Sequence, residues 1–149
     1  MYIEIDFNSD EAIYLQLCNQ IIMGIATQDL HEGDSLPSVR ALAETIGVNM
    51  HTVNKAYAVL RDAGFLTVDR RRGAIVYIDR EKMDAVQELR RDLAIALAKA
   101  RCKHITREEG HALIDEICED FKGNRILLPK HGRRLKPRAG LRATAGRTI

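Results

Sequence analysis

The sequence predicts a mainly α-helical chain with one small β-hairpin. Three observations carry that prediction. Apolar residues recur every three or four positions in five separate stretches, the mark of a helix with one buried face. Two short runs, "FLTVD" at 65–69 and "AIVYI" at 74–78, are rich in β-formers and are parted by "RRRG". Glycines stand where the helical patterns stop, at Gly47, Gly64 and Gly123.

The elements follow in order. "YIEIDF" alternates and reads as a short extended arm, after which Asn8, Ser9 or Asp10 is expected to cap a first helix. Ile13, Leu17, Ile21 and Ile25 recur every fourth residue, so this helix should end near Thr27. In "HEGDSLP", Gly33 supplies a positive φ and Pro37 holds Leu36 extended. Ser38 is the expected N-cap of a short second helix with Val39, Leu42, Ala43 and Ile46 inward. Asn49 caps the third, from about Met50 to Ala63, with Val53, Ala56, Tyr57 and Leu60 inward; Val48 and Val53 are spaced as a hydrophobic staple. The hairpin comes next. A fourth helix should start near Arg80 or Glu81, with Val86, Leu89, Leu93 and Leu97 on one stripe. Its many alanines predict burial of more than one face. "TREE" is a capping box joining Thr106 to Glu109, and opens a fifth helix striped by Leu113, Ile117 and Phe121.

Composition narrows the function classes. The chain has 149 residues, 46% of them hydrophobic, which suits one globular domain with an appendage. No apolar run approaches the roughly 20 residues of a membrane span. The acidic N-terminus lacks the basic start of a signal peptide, so a mature cytoplasmic protein is expected. Three widely spaced cysteines, Cys18, Cys102 and Cys118, make no disulfide framework. The net charge of +2 hides an asymmetry. Nine of the 23 basic residues and no acidic one lie in 122–149, leaving 14 against all 21 acidic residues elsewhere. A basic tail on an acidic body points to nucleic acid or membrane contact, or is simply a solvated segment. Neither G-x-x-x-x-G-K nor G-x-G-x-x-G occurs, and no nucleophile–base or paired-carboxylate set stands out, so neither an enzyme nor a cofactor is expected.

Helix, tight turn around Gly47, helix and hairpin are the succession of a winged helix-turn-helix. With its inner side committed to the core, the third helix offers His51, Thr52, Asn54 and Lys55 outward from its first turns. Such a helix fits the major groove of double-stranded DNA and reads base edges with its N-terminal residues. Asn49 caps that end, and Arg40 on the second helix can reach backbone or base. The turn of Arg70, Arg71, Arg72 and Gly73 brings three cations and a backbone free to approach phosphate closely.

The stretch "LPSVRALAETIGVNMHTVNKAYAVLRDAGFLTVDRRRGAIV" closely resembles the DNA-binding domain of GntR-family bacterial transcription regulators. The resemblance covers about 13–78, with "IYLQLCNQIIMGIATQDL" similar to the family's first helix. It implies a bacterial regulator that binds a two-fold operator as a dimer. Arg40 matches the family's second-helix arginine; Asn49, Met50, His51, Thr52 and Asn54 match the start of its recognition helix; Gly73 matches its wing glycine. Some members carry arginine where this chain has Met50 and Asn54, so a guanine-reading arginine is missing at both. About 45 residues separate the wing from the basic tail. That length resembles the small YtrA-like subfamily, whose members often control transporter operons beside their own gene. A repressor is therefore expected, with no particular effector indicated.

The expected organisation is a winged DNA-binding domain over 1–79, a two-helix dimerisation region over 80–121, and a disordered basic tail over 122–149. Val86, Leu89, Leu93, Leu97, Leu113, Ile117 and Phe121 present more apolar surface than one helical pair can cover. They are expected to meet a second copy across a two-fold axis, the commonest oligomer symmetry. The alternative is that the fourth helix packs back on its own winged domain. A non-specific architectural protein is the rival function, but no minor-groove wedge is evident. Cys102, His104, His111 and Cys118 are metal-ligand types without metal-ligand spacing. The reading preferred is that both cysteines are small core residues, both histidines are exposed, and no metal is bound.

Overall fold

The computed structural model describes residues 3–79 and 82–122. The expected start of the fourth helix at Arg80 or Glu81, the stop of the fifth at Gly123, and all but Lys122 of the basic tail lie outside them. Helices α1 (Ile13–Ala26), α2 (Val39–Ile46) and α3 (Met50–Asp62) precede the strands β1 (Leu66–Asp69) and β2 (Gly73–Val76). Helices α4 (Lys82–Cys102) and α5 (Arg107–Lys122) follow. This is the mainly helical winged helix-turn-helix that the periodicity predicts.

The first helix does not start as expected. Its N-cap is Ala12, whose side chain caps nothing, rather than Asn8, Ser9 or Asp10. The arm before it is held from the side instead. Gln16 accepts from the Asp6 amide at 3.0 Å and donates to the carbonyls of Asp6 and Glu11 at 3.0 and 2.9 Å. One turn on, Gln20 accepts from the Glu4 amide and donates to the Glu4 carbonyl. Each glutamine thus acts as a strand neighbour to an extended segment, with Gln16 fully satisfied although it is buried.

The strands pair antiparallel in the register Leu66↔Val76 to Asp69↔Gly73. The sequence did not reveal a third partner. Residues 33–36 flank the other edge of β2, with Gly33 N donating to Val76 O, Val76 N to Asp34 O, and Leu36 N to Ala74 O at 2.8–2.9 Å. β2 is therefore paired on both sides, and the wing is tied to the segment entering α2.

The core lies between α1, α2 and α3 and is closed by the sheet. Leu17, Ile21, Val53, Leu60 and Val76 are fully buried, alongside Leu36, Leu42, Ala43, Ala56, Tyr57 and Leu66. Each large aliphatic side chain removed from water in this way contributes roughly 1.5–3 kcal/mol. Ile46 and Val48 are half-buried against this core, and Ile13 stays outside it. Of the cysteines, Cys18 is the core residue. Its thiol donates to the Ala56 carbonyl at 3.5 Å, and burial raises its pKa.

The last two helices are different in kind. No residue of α5 is buried, and the described side chains of α4 are exposed or half-exposed. Among the described residues, the alanine-rich α4 therefore buries neither face and is not packed back on the winged domain. Cys102 and Cys118 are exposed, not core as the sequence had suggested. The capping box forms: Thr106 N donates to Glu109 Oε2 at 2.8 Å, and Glu109 N to Thr106 Oγ1 at 3.2 Å. The helices approach at Gly110, where a Cβ would lie 3.8 Å from Leu97 Cδ2.

Candidate nucleic-acid interface

The α2–α3 turn is set by its capping residues. Ser38 Oγ accepts from Ala41 N at 3.2 Å and starts α2. Gly47, left-handed at φ +71°, ends it and lets Val48 N return to the Ala43 carbonyl at 3.0 Å. Two residues later Asn49 Oδ1 accepts from His51 N at 2.8 Å and starts α3. A second tie crosses the two helices: Tyr57, buried on α3, donates its hydroxyl to Pro37 O just before α2, at 2.9 Å. The approach of α2 to α3 is thereby held at both ends of α2.

With Val53, Ala56, Tyr57 and Leu60 inward, the remaining face of α3 is left to solvent. Met50, His51, Asn54 and Lys55 are exposed, as is Asn49, and Thr52 is half-buried. Lys55 does not project freely. Its ammonium sits 3.8 Å from the centroid of the Tyr14 ring on α1, a cation–π contact. It still carries its charge on the helix surface.

Arg40 is exposed on α2, and its Nε donates to Glu44 Oε1 at 3.0 Å. One edge of the guanidinium is engaged while the terminal nitrogens remain for another acceptor. Exposed pairs of this kind add little stability; the effect here is to orient the fork. Arg40, Ala43, Glu44, Gly47, Val48 and Met50 line one open groove beside the start of α3. It brings together two predicted contact residues from different helices.

The wing arginines form a separate cluster. Asp69 shapes their turn by accepting from the amides of Arg71 and Arg72, each at 2.8 Å. Those bonds, that from Arg72 foremost, hold the Asp69 pKa below its ordinary value. Gly73 closes the turn at φ +78° with nothing within 4 Å of a Cβ built there. Arg72 also turns back, donating from Nη2 to the Gly33 carbonyl at 2.7 Å. It anchors the wing, whereas Arg70 and Arg71 are exposed at its tip.

Sequence reasoning passed over Glu44, Asp69 and Tyr14. The first two carried a local signal: Arg40 and Glu44 stand at i, i+4, and an aspartate two residues before a turn amide is a common turn former. Tyr14 carried none, since its meeting with Lys55 is tertiary. Among the described residues no three His, Cys, Asp or Glu side chains gather as metal ligands, and no helix is long and apolar enough to cross a membrane.

Residues 13–76 match the bacterial regulatory proteins of the gntR family. The chain is 33% identical over 129 residues to the HTH-type transcriptional repressor YtrA of Bacillus subtilis (strain 168), covering 83% of this chain and 97% of that one. Among solved structures, YtrA from Sulfolobus acidocaldarius, a GntR-family transcription factor, is 44% identical; 63% of this chain and 99% of that one align, with a TM-score of 0.53. A transcriptional antiterminator from Listeria monocytogenes EGD-e aligns over 86% of this chain and 98% of its own with a TM-score of 0.75 at 27% identity. These likenesses settle the class: the chain belongs to the gntR family of bacterial regulatory proteins, as a YtrA-like, DNA-binding transcription regulator and not an enzyme.

Proposed function

We propose that this regulator is a cytoplasmic repressor that binds a palindromic operator as a homodimer. The winged domain over 1–79 reads each half-site, and the helices over 80–121 join the copies. The observation that carries the dimer is the apolar surface left uncovered on α4 and α5. Val86, Leu89, Leu93 and Leu97 on one helix, and Leu113, Ile117 and Phe121 on the other, are each more than a third exposed. Exposed apolar surface of this extent marks an interface in a soluble protein. A two-fold pairing of identical stripes covers it.

In this reading the recognition surface is Arg40, Asn49, Met50, His51, Thr52, Asn54 and Lys55, with Arg70, Arg71, Arg72 and Gly73 on the wing. His51, Thr52 and Asn54 meet base edges, while the wing tip holds phosphate. Two such surfaces about one helical turn apart supply the discrimination that one short helix lacks. The repressor role is supported by the similarity to YtrA of Bacillus subtilis, whose name states it. The YtrA-like resemblance points to a transporter operon adjacent to the gene as the target.

Footprinting on the DNA upstream of the chain's own gene tests the reading, with equilibrium sedimentation beside it. A protected inverted repeat and a mass twice 16.8 kDa are expected. A single 16.8 kDa species at micromolar concentration, unchanged by that DNA, would rule the dimer out.

A further inference from the structure

Met50 is out of place on the surface around it. Its neighbours at the start of α3 are Asn49, His51, Thr52, Asn54 and Lys55, all polar, yet Met50 is a large apolar side chain left 49% exposed. It is not part of the core, and it stands on the first residue of the helix whose N-terminal turns would enter the major groove. The groove beside it has an apolar floor, Ala43 and Val48, and a polar rim, Arg40 bonded through Nε to Glu44. A rim cation with free terminal nitrogens suits a phosphate. The wall below it suits a small apolar group a few ångströms further in.

Among base edges in the major groove, thymine alone presents such a group, its C5-methyl. We infer that Met50, with the floor of this groove, receives the C5-methyl of one thymine in each operator half-site. The inference rests on the operator-reading function proposed above and supplies one letter of the sequence it reads. Methionine suits the task because its unbranched, polarisable chain adapts to the position of the methyl group. Covering one methyl in this way gives about fourfold in affinity per half-site.

The test uses the full chain and a random-sequence DNA duplex library. Wild type and Met50→Ala are each carried through selection, and the wild-type consensus duplex is then synthesised with its thymines replaced one at a time by uracil, which removes only the C5-methyl. Wild type should show one thymine per half-site whose replacement weakens binding about fourfold. Met50→Ala should bind thymine and uracil duplexes alike at that position. Far-UV circular dichroism checks that this exposed substitution leaves the helix intact. Wild-type binding indifferent to every uracil replacement would overturn the inference, as would a sensitivity that persists unchanged in Met50→Ala. Failure of the wild type to enrich any sequence would instead remove the operator-reading function, and the thymine contact with it.

Discussion

The hydroxyl of Tyr57 makes a side-chain hydrogen bond that ties the recognition helix to the entry of α2, through the Pro37 carbonyl at 2.9 Å. Tyr57→Phe keeps the packing and removes the bond, so stability should fall by about 1 kcal/mol in urea unfolding at pH 7. Burial pushes the Tyr57 pKa from 10.0 up to about 12. A raised folded-state pKa means that the neutral tyrosine's stabilisation is complete below pH 10 and is lost as the pH climbs through about 12. The stability gap between wild type and Tyr57→Phe should therefore narrow across that window; a constant gap would mean that the hydroxyl ionises as freely in the folded state as in the unfolded one. At the same scale, Lys55 against Tyr14 and Arg72 against the Gly33 carbonyl show that a surface cation is not necessarily a free one.

The boundaries of the elements rest on glycines that look alike in sequence and differ in space. Gly47 and Gly64 both adopt left-handed φ, +71° and +78°. A Cβ on Gly47 would meet nothing within 4 Å, whereas one on Gly64 would lie 2.8 Å from Asp79 Cβ. Gly47→Ala should cost only the left-handed penalty, roughly 1–2 kcal/mol. Gly64→Ala adds a displacement of the chain leaving the wing and should cost clearly more; equal losses in thermal unfolding would show that the Asp79 segment gives way freely. This contrast marks what was legible in the sequence. The caps at Ser38, Asn49 and Thr106 and the stops at Gly47 and Gly64 are local chemistry, and each stands where its residue type places it. The start of α1 was misread because Gln16 and Gln20 hold the arm from within the helix, a contact between residues up to 16 apart that no capping rule encodes. The third edge of the sheet at 33–36 was hidden for the same reason, and so was the Arg40–Met50 groove, whose walls come from two helices. The exposure of Cys102 and Cys118 was hidden because helical periodicity cannot say whether a stripe faces the chain's own core or another copy.

For the whole molecule, the division of labour between a packed head and an uncovered pair of helices makes a direct prediction. Leu93 lies on the α4 stripe and belongs to no buried cluster of the head. Leu93→Asp should leave the head folded by circular dichroism, shift sedimentation to a 16.8 kDa species, and weaken operator binding at least tenfold by removing the second half-site. A dimer that survives this change would place the interface elsewhere. The manner in which the head hands over to α4 has a mechanical consequence. Beyond β2 the chain is stitched to the link that follows α3, with Tyr77 N on Phe65 O at 3.0 Å and Asp79 N on Gly64 O at 2.9 Å, and α4 begins three residues later. The recognition helix is itself held in the head by its buried face and by Tyr57 on Pro37, and its N-terminal turn lies about 20 Å from the Tyr77 and Asp79 bonds. Turning the head as one body by about 10° about that point moves the turn by about 3.5 Å, close to the rise along the DNA axis per base pair. In the proposed dimer, a small rotation of a whole head against α4 would therefore carry its reading turn from one base step to the next.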